Sequence, residues 1–183
     1  MPPSGIPAPS TWVQRFMHLV PEGAPVLDVA CGSGRHTWLF AAAGHPVTAV
    51  DRDISRLSRG ARPLGVEMLQ ADLEDGSSWP LEGRTFGGIV VTNYLHRPLF
   101  HHLLRSLSQG GILIYETFAL GNEAFGRPSN PDFLLGAGEL IQQVSGKLQV
   151  IAYETGLIDS PRKAVVQRIC AVNGGTPQPL QAG

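Results

Sequence analysis

The 183-residue sequence has few cysteines and few charged residues, and it contains no long apolar run. Its two cysteines are too few for a disulfide framework, so we expect a reducing, cytoplasmic setting. No apolar run is long enough to span a bilayer, and the Pro-rich start lacks the charged-then-apolar pattern of a signal peptide. Charged residues make up 16% of the chain and the net charge is −1, so no global field attracts nucleic acid or a membrane. These figures favour one compact globular domain.

A glycine-rich turn lies between two apolar runs that each end in an acid. The first run ends at Asp28, the turn contains Gly32 and Gly34, and the second run, PVTAV, ends at Asp51. Strand, glycine turn, helix, strand and acid is the arrangement that holds an adenosine-containing cofactor at the carboxyl ends of parallel strands. The dinucleotide fingerprint needs a third glycine where this chain has Thr37, which disfavours a nicotinamide cofactor.

Apolar strands alternate with helices along the rest of the chain. We predict strands over Val26–Ala30, Val47–Asp51, Val66–Asp72, Gly88–Tyr94, Gly111–Thr117, Leu148–Glu154 and Ala164–Ala171. We predict helices over Thr11–Val20, His36–Ala43, Ile54–Arg62, Leu99–Leu107 and Gly138–Val144. Residues 1–10 and 173–183 are rich in Pro, Gly and other turn formers, so we expect two flexible ends around a domain of residues 11–172.

The last two predicted strands are separated only by a short turn near residues 159–162. A parallel pair needs a crossover of a dozen or more residues, so this pair must be antiparallel. The sequence therefore predicts an α/β fold with a Rossmann-like, doubly wound, seven-stranded sheet. The sheet is expected to be mostly parallel and to end in an antiparallel hairpin.

The segment from Asp28 to Gly34, DVACGSG, resembles the first motif of the class I S-adenosylmethionine (SAM) methyltransferases. That motif is usually written D/E-x-G-x-G-x-G, and Ala30 stands where the family more often has glycine. The runs NYLHRPLF and ETFALGNEAFGRPSNPDFLL resemble small bacterial members of the family. More loosely, the chain is similar to the tellurite-resistance and thiopurine-type methyltransferases, which act on small molecules. The resemblance implies SAM as the cofactor and methyl transfer as the activity.

Acids and glycines at the strand ends are the candidates for binding SAM. By the resemblance, Asp51 accepts hydrogen bonds from the ribose hydroxyls, and Asp72 receives the adenine amino group with Leu73 packed on the ring. The side chain of Arg52 either lies over the adenine face or is solvated. Each acid alone could instead be a helix N-cap. The full set is Asp28, Ala30, Gly32, Gly34, Asp51, Arg52, Asp72, Leu73 and Asn93.

Catalytic and acceptor-binding candidates follow the fourth and fifth predicted strands. His96 is a candidate base because its unperturbed pKa lies near neutrality, or else a helix-start histidine bonded to backbone. Tyr94 is a candidate for contacting the sulfonium with its ring face, or else a core residue. A metal at His96, His101 and His102 is disfavoured because no Cys or acid completes the set. The acceptor-binding candidates are Arg97, Glu116, Phe118 and Arg127.

We expect the acceptor to be a small molecule methylated at an N, O, S or chalcogen atom. The chain has no added substrate domain and only a short N-terminal helix to cover a pocket. Nucleic acid is disfavoured as an acceptor, since the motif [DNS]-P-P-[YFW] of nucleic-acid amino methyltransferases is missing after the fourth strand. Arginines at helical spacing form either a basic stripe for RNA or a solvated helix face: Arg52, Arg56, Arg59 and Arg62. An RNA or protein methyltransferase and a non-catalytic SAM-binding protein are the alternatives.

Overall fold

The computed structural model describes residues 5–57 and 65–174. Seven strands form one sheet in the order β3-β2-β1-β4-β5-β7-β6. Strands β1 to β5 run parallel to one another, and β7 lies antiparallel between β5 and β6. The strands are β1 Val26–Val29, β2 Val47–Asp51, β3 Val66–Gln70, β4 Phe86–Thr92, β5 Leu107–Phe118, β6 Gln149–Ile158 and β7 Ala164–Val172. This sheet confirms the predicted fold, including the antiparallel C-terminal hairpin.

Helices cover both faces of the sheet. They are α1 Thr11–Phe16, α2 Arg35–Ala42, α3 Phe100–Arg105 and α4 Glu139–Val144. Trp12 and Phe16 of α1 pack on one face of the sheet with Phe40 of α2, whereas Leu103 of α3 and Leu140 of α4 pack on the other. Because β1 and β4 are covered on both faces, their sequences are almost continuously apolar.

The order in which successive strands are added to the sheet reverses between β1 and β4. Val26 of β1 pairs with Val47 of β2 on one side and with Gly88 of β4 on the other. The residues that follow these two strands, Ala30 and Asn93, both have a positive φ, of 52° and 56°. This backbone conformation ends each strand before the predicted limit, and it turns the chain outward at the switch point where α/β folds bind ligands.

Two predicted helices differ from the observed structure. Of the predicted helix Ile54–Arg62, residues 54–57 form a turn and the remaining five lie outside the described residues. The helix predicted over Leu99–Leu107 is replaced by a 3₁₀ turn at Arg97–Leu99, then α3, and Leu107 already belongs to β5. Helical spacing of apolar residues does not show where a helix ends when a strand follows it almost directly, as β5 follows α3 here.

Residues near both predicted flexible ends are tied to the sheet. Ser10 is buried and caps α1, since its Oγ accepts from the backbone N–H of Trp12 at 3.1 Å. At the other end, Nδ2 of Asn173 donates to the carbonyl oxygens of Leu107 and Ser108, at 2.8 and 3.1 Å. Within residues 5–57 and 65–174, no helix is long and apolar enough to cross a membrane.

Candidate functional site

The glycine turn after β1 brings backbone close to the switch point. Gly32 and Gly34 both have a positive φ, of 57° and 80°. A side chain at Gly34 would collide with Leu57 and crowd Trp38, so close packing requires glycine there. Apart from its two chain neighbours, no described residue has an atom within 4 Å of the place where a Cβ of Gly32 would stand. The turn is therefore packed at Gly34 and open at Gly32, where a ligand can approach the backbone.

A cleft of about 330 Å³, called the first cleft here, lies at the carboxyl ends of β1 to β4. Six of the residues predicted from the sequence line it: Ala30, Asp51, Arg52, Asp72, Leu73 and Tyr94. Ala71, Glu74 and Phe133 complete the lining. The four other predicted cofactor residues, Asp28, Gly32, Gly34 and Asn93, are not part of this wall.

Backbone hydrogen bonds fix the two acids of the first cleft. The Asp51 carboxylate accepts from the N–H of Gly32 at 2.8 Å and from the N–H of Asp53 at 2.9 Å. Asp72 accepts from the N–H of Glu74 at 2.9 Å, in a turn closed by its own side chain. An ionised carboxylate has about four acceptor positions. Both acids therefore keep acceptor capacity for hydroxyl or amino donors of a ligand.

Asp28 is buried in the fold behind the glycine turn. It is 2% exposed, and its Oδ2 accepts a 2.6 Å hydrogen bond from Oγ1 of Thr37. Burial raises the pKa of Asp28 to about 6, and the Thr37 hydroxyl opposes this rise. Thr37, which replaces the third glycine of a dinucleotide fingerprint, thus binds the acid of the first motif. Asp28 stabilises the glycine turn because its hydrogen bond with Thr37 links β1 to α2.

Tyr94 lies between the acids of the first cleft. Burial raises the pKa of its phenol, and the negative charges of Glu74, Asp72 and Asp51 raise it further. The phenol therefore stays protonated at neutral pH. The backbone of Tyr94 is held in place because its carbonyl oxygen accepts from the Tyr115 hydroxyl at 2.8 Å.

Arg97 anchors the loop that carries Phe133 over the first cleft. Its Nη1 donates to the carbonyl of Asp132 at 2.7 Å, and its Nη2 donates to the carbonyl of Leu134 at 2.9 Å. These carbonyls flank Phe133 on both sides. The same guanidinium binds both carboxylate oxygens of Glu139, at 2.7 and 3.0 Å, and this pairing raises the pKa of Arg97. Arg97, predicted to bind the acceptor, therefore has its donors committed to the loop and to α4.

A second cleft of about 250 Å³ lies on the other side of Asn93. The predicted acceptor residues Glu116 and Phe118 line it, together with Arg35 from the start of α2. Residues 8–11 of the N-terminal segment form another wall, and the β6–β7 connection with part of β7 forms the rest. Residues that are far apart in the sequence therefore form the walls of the second cleft.

Buried polar side chains connect the N-terminal segment to this second cleft. The Ser10 hydroxyl donates to Oε1 of Glu116 at 2.8 Å, and Arg168 donates to Oε2 of the same carboxylate at 3.2 Å. The backbone N–H of Ser10 donates to Nε2 of His36 at 3.1 Å. Burial lowers the pKa of His36 to about 3, so its ring is neutral and accepts this bond. No local sequence pattern indicates Ser10, Arg35 and His36, because their partners are far away in the chain.

The chain is similar to several known methyltransferases. The sequence model of a family described as "Methyltransferase domain" matches residues 26–111, from the start of β1 into β5. The chain is 32% identical over 135 residues to the tRNA U34 carboxymethyltransferase of Alcanivorax borkumensis. That match covers 63% of this chain and 41% of the relative, so the chain spans about two fifths of the relative's length.

Two solved structures show the same fold. TehB from Haemophilus influenzae superposes with a TM-score of 0.71 at 17% identity, over 89% of this chain and 61% of that one. A putative SAM-dependent methyltransferase from Listeria monocytogenes superposes with a TM-score of 0.67 at 15% identity, over 90% and 98% of the two chains. Residues 26–111 therefore resemble a methyltransferase domain, and the chain has the fold of these SAM-dependent methyltransferases.

Like Arg97, two further residues predicted for catalysis or acceptor binding, His96 and Arg127, lie outside the walls of both clefts. His96 is half-buried, and its carbonyl accepts from the N–H of Leu99, which starts the 3₁₀ turn before α3. Arg127 offers its carbonyl to Nη2 of Arg162 at 2.7 Å. Of the other histidines considered for a metal, His102 stacks on Trp79. Among the residues that the structure describes, no group of three or more His, Cys, Asp or Glu side chains fits a metal ion.

Proposed function

We propose that the protein binds SAM in the first cleft and transfers its methyl group to a small molecule in the second. One observation carries this proposal: the consecutive residues Asn93 and Tyr94 line different clefts. Consecutive Cα atoms are about 3.8 Å apart, so the two clefts meet within one residue at the end of β4. A methyl group bound on one side of this turn is within reach of an acceptor on the other side.

The first cleft offers what each part of SAM requires. Asp51 at the end of β2 suits the two ribose hydroxyls, and Asp72 after β3 suits the adenine amino group. Leu73 supplies an apolar surface for the adenine ring, and Phe133 faces it from the loop that Arg97 holds. The open backbone at Gly32 suits the methionine part. Asp28 supports this cleft through Thr37 and the turn, without lining it.

When bound, SAM would supply a methyl group on a sulfonium sulfur. In-line attack by the lone pair of an acceptor atom on the methyl carbon would form the new bond as the carbon–sulfur bond breaks and S-adenosylhomocysteine leaves. The main task of the chain is then to align the two reactants and exclude water. Tyr94 stays protonated and presents its ring at the junction of the clefts, where an aromatic face attracts a cation. Glu116 is a carboxylate in the lining of the second cleft, and His96 stays a candidate base.

A small acceptor fits the second cleft better than a nucleic acid does. The cleft is about 250 Å³ and is walled by residues 8–11 and by the β6–β7 connection. This volume suits a small organic molecule, whereas RNA needs an extended basic surface. Arg59 and Arg62 of the predicted basic stripe lie outside the described residues. The tRNA enzyme among the relatives makes tRNA the acceptor that must be tested as the rival.

Asp72 and Asp75 offer a matched pair for testing the cofactor assignment. Each accepts a hydrogen bond from the backbone N–H two residues later, at 2.9 and 2.8 Å. Only Asp72 lines the first cleft. Loss of a charge-assisted hydrogen bond is expected to weaken S-adenosylhomocysteine about 10- to 100-fold in Asp72→Ala. Asp75→Ala is expected to bind as the unchanged protein does.

Calorimetric titration with S-adenosylhomocysteine measures both affinities, and thermal unfolding checks that both variants fold. Equal affinities in the two variants would contradict the assignment of Asp72.

The acceptor is then sought with radiolabelled methyl SAM against a small-molecule library and against bulk tRNA. Label that enters tRNA and no small molecule would refute the small-acceptor proposal in favour of the RNA alternative.

A further inference from the structure

We infer that the second cleft binds an acceptor that carries an anionic group, such as a carboxylate, beside an apolar body. The inference rests on the proposed function, and it names the substrate class of the same site. It depends on two arginines of the cleft wall, Arg35 and Arg162, that form no ion pair with the residues that the structure describes. An apolar patch adjoins both of them.

The other charges around the cleft balance one another. Arg168 pairs with Glu116 at 3.2 Å and with Glu154 at 2.8 Å. Glu154 also pairs with Arg15 at 3.0 Å. Two acids and two arginines therefore form one neutral network of ion pairs along this side of the cleft. The charge of a ligand must be matched by side chains that do not belong to this network.

Among the described residues, the close partners of Arg35 are neutral oxygens. Its guanidinium donates to the Ala8 carbonyl at 3.4 Å and to the Thr92 hydroxyl at 3.3 Å. Across the described part of the chain, no carboxylate comes within ion-pair distance of it, although Glu116 and Asp28 act on it at longer range. A partly buried guanidinium with long bonds to neutral acceptors is suited to a further, charged acceptor.

Arg162 faces the cleft from the connection between β6 and β7. Its guanidinium carbon lies 4.9 Å from the centre of the Phe118 ring, and its Nη2 donates to the carbonyl of Arg127. It also makes no ion pair within residues 5–57 and 65–174. Its planar group is thus held over an aromatic ring while other donors stay available to an anion.

Beside these two cations the cleft wall is apolar. Phe118, Ile158, Ala164 and Val166 pack together and line the cleft. Asn93, at the junction with the first cleft, lies on the same wall as Arg35. An acceptor with its anionic group on the arginines and its body on Phe118 would present another part of itself to the methyl group at Asn93.

The test compares acids with their neutral amides on protein saturated with S-adenosylhomocysteine. The probes are benzoate, 1-naphthoate and indole-3-acetate, each with the corresponding amide, titrated by calorimetry or protein-observed NMR. At least one acid is expected to bind about tenfold or more tightly than its amide. In Arg162→Gln this preference is expected to fall about tenfold. Lys163→Gln, which removes the same charge one residue away and outside the cleft wall, is expected to keep it.

Equal binding of acids and amides, or an unchanged preference in Arg162→Gln, would overturn the inference. So would an equal loss in Lys163→Gln, since that would indicate only a general charge effect. Failure of S-adenosylhomocysteine to bind would instead contradict the proposed function. The acid and amide comparison on the unliganded protein would then still decide whether the cleft prefers anions.

Discussion

Replacing Asp28 by asparagine is expected to change how the stability of the protein depends on pH. Asp28 is 2% exposed, and burial raises its pKa from 3.8 to about 6 in the folded protein. Because the folded pKa is above the unfolded one, the stabilisation from this group is fully present only below pH 4. It is lost as the pH rises to about 6. A shift of about two pKa units corresponds to about 3 kcal/mol of unfolding free energy.

Urea unfolding of both proteins at pH values from 4 to 8 measures this effect. The unfolding free energy of the unchanged protein, minus that of Asp28→Asn, is expected to fall by about 3 kcal/mol between pH 4 and pH 7. It is then expected to stay level. Asparagine keeps the size of the side chain and an oxygen that accepts from Thr37, so the comparison isolates the ionisation.

Asp75 provides a control of opposite sign. It is fully exposed, and the hydrogen bonds from Ser77 lower its pKa. Its stabilisation is therefore present above the unfolded pKa and lost as the pH falls. The difference between the unchanged protein and Asp75→Asn is expected to rise with pH. A difference for Asp28→Asn that is flat, or that also rises with pH, would refute the account of Asp28 as a buried carboxylate.

Two further predictions concern the turn after β1 and the loop over the first cleft. Ala30→Gly is expected to raise the free energy of unfolding by up to about 1 kcal/mol, because it removes the cost of a positive φ at alanine. Chemical unfolding measures this, with Ala42→Gly at the exposed end of α2 as the control that destabilises; equal losses in both variants would count against strain at Ala30. Phe133→Ala is expected to weaken S-adenosylhomocysteine about tenfold in calorimetry, because the ring loses its stacking on adenine. Phe125→Ala, which removes an equally exposed ring from the same loop outside the cleft wall, is the control, and an equal loss there would exclude a specific role for Phe133.

The sheet and the acids of the first cleft could be predicted because their signals are local. Apolar runs that end in an acid mark Asp51 and Asp72, and parallel strands present their carboxyl ends at one edge of a sheet. These two side chains therefore share a cleft even though they are 21 positions apart in the sequence. The short connection before β7 determined its antiparallel direction for an equally local reason.

The walls of the second cleft could not be predicted because they depend on contacts between distant parts of the chain. Ser10 binds Glu116 across 106 positions of sequence. No local pattern indicates that a Pro-rich segment ends in a buried hydroxyl, or that Arg162 in a connection faces Phe118. The role of Arg97 was unpredictable for the same reason, since its partners lie 35 to 42 residues away. The sequence pattern of a charged residue after a strand is the same whether its side chain binds a ligand or a loop of the protein.

The most direct test of the central claim is a calorimetric titration of the unchanged protein with SAM and S-adenosylhomocysteine, with NAD as the comparison ligand. We expect micromolar binding of both sulfur ligands and none of NAD. We also expect Asp51→Ala to abolish this binding while it still unfolds cooperatively. Binding of NAD, or of none of the three ligands, would contradict the account of the first cleft as a SAM site.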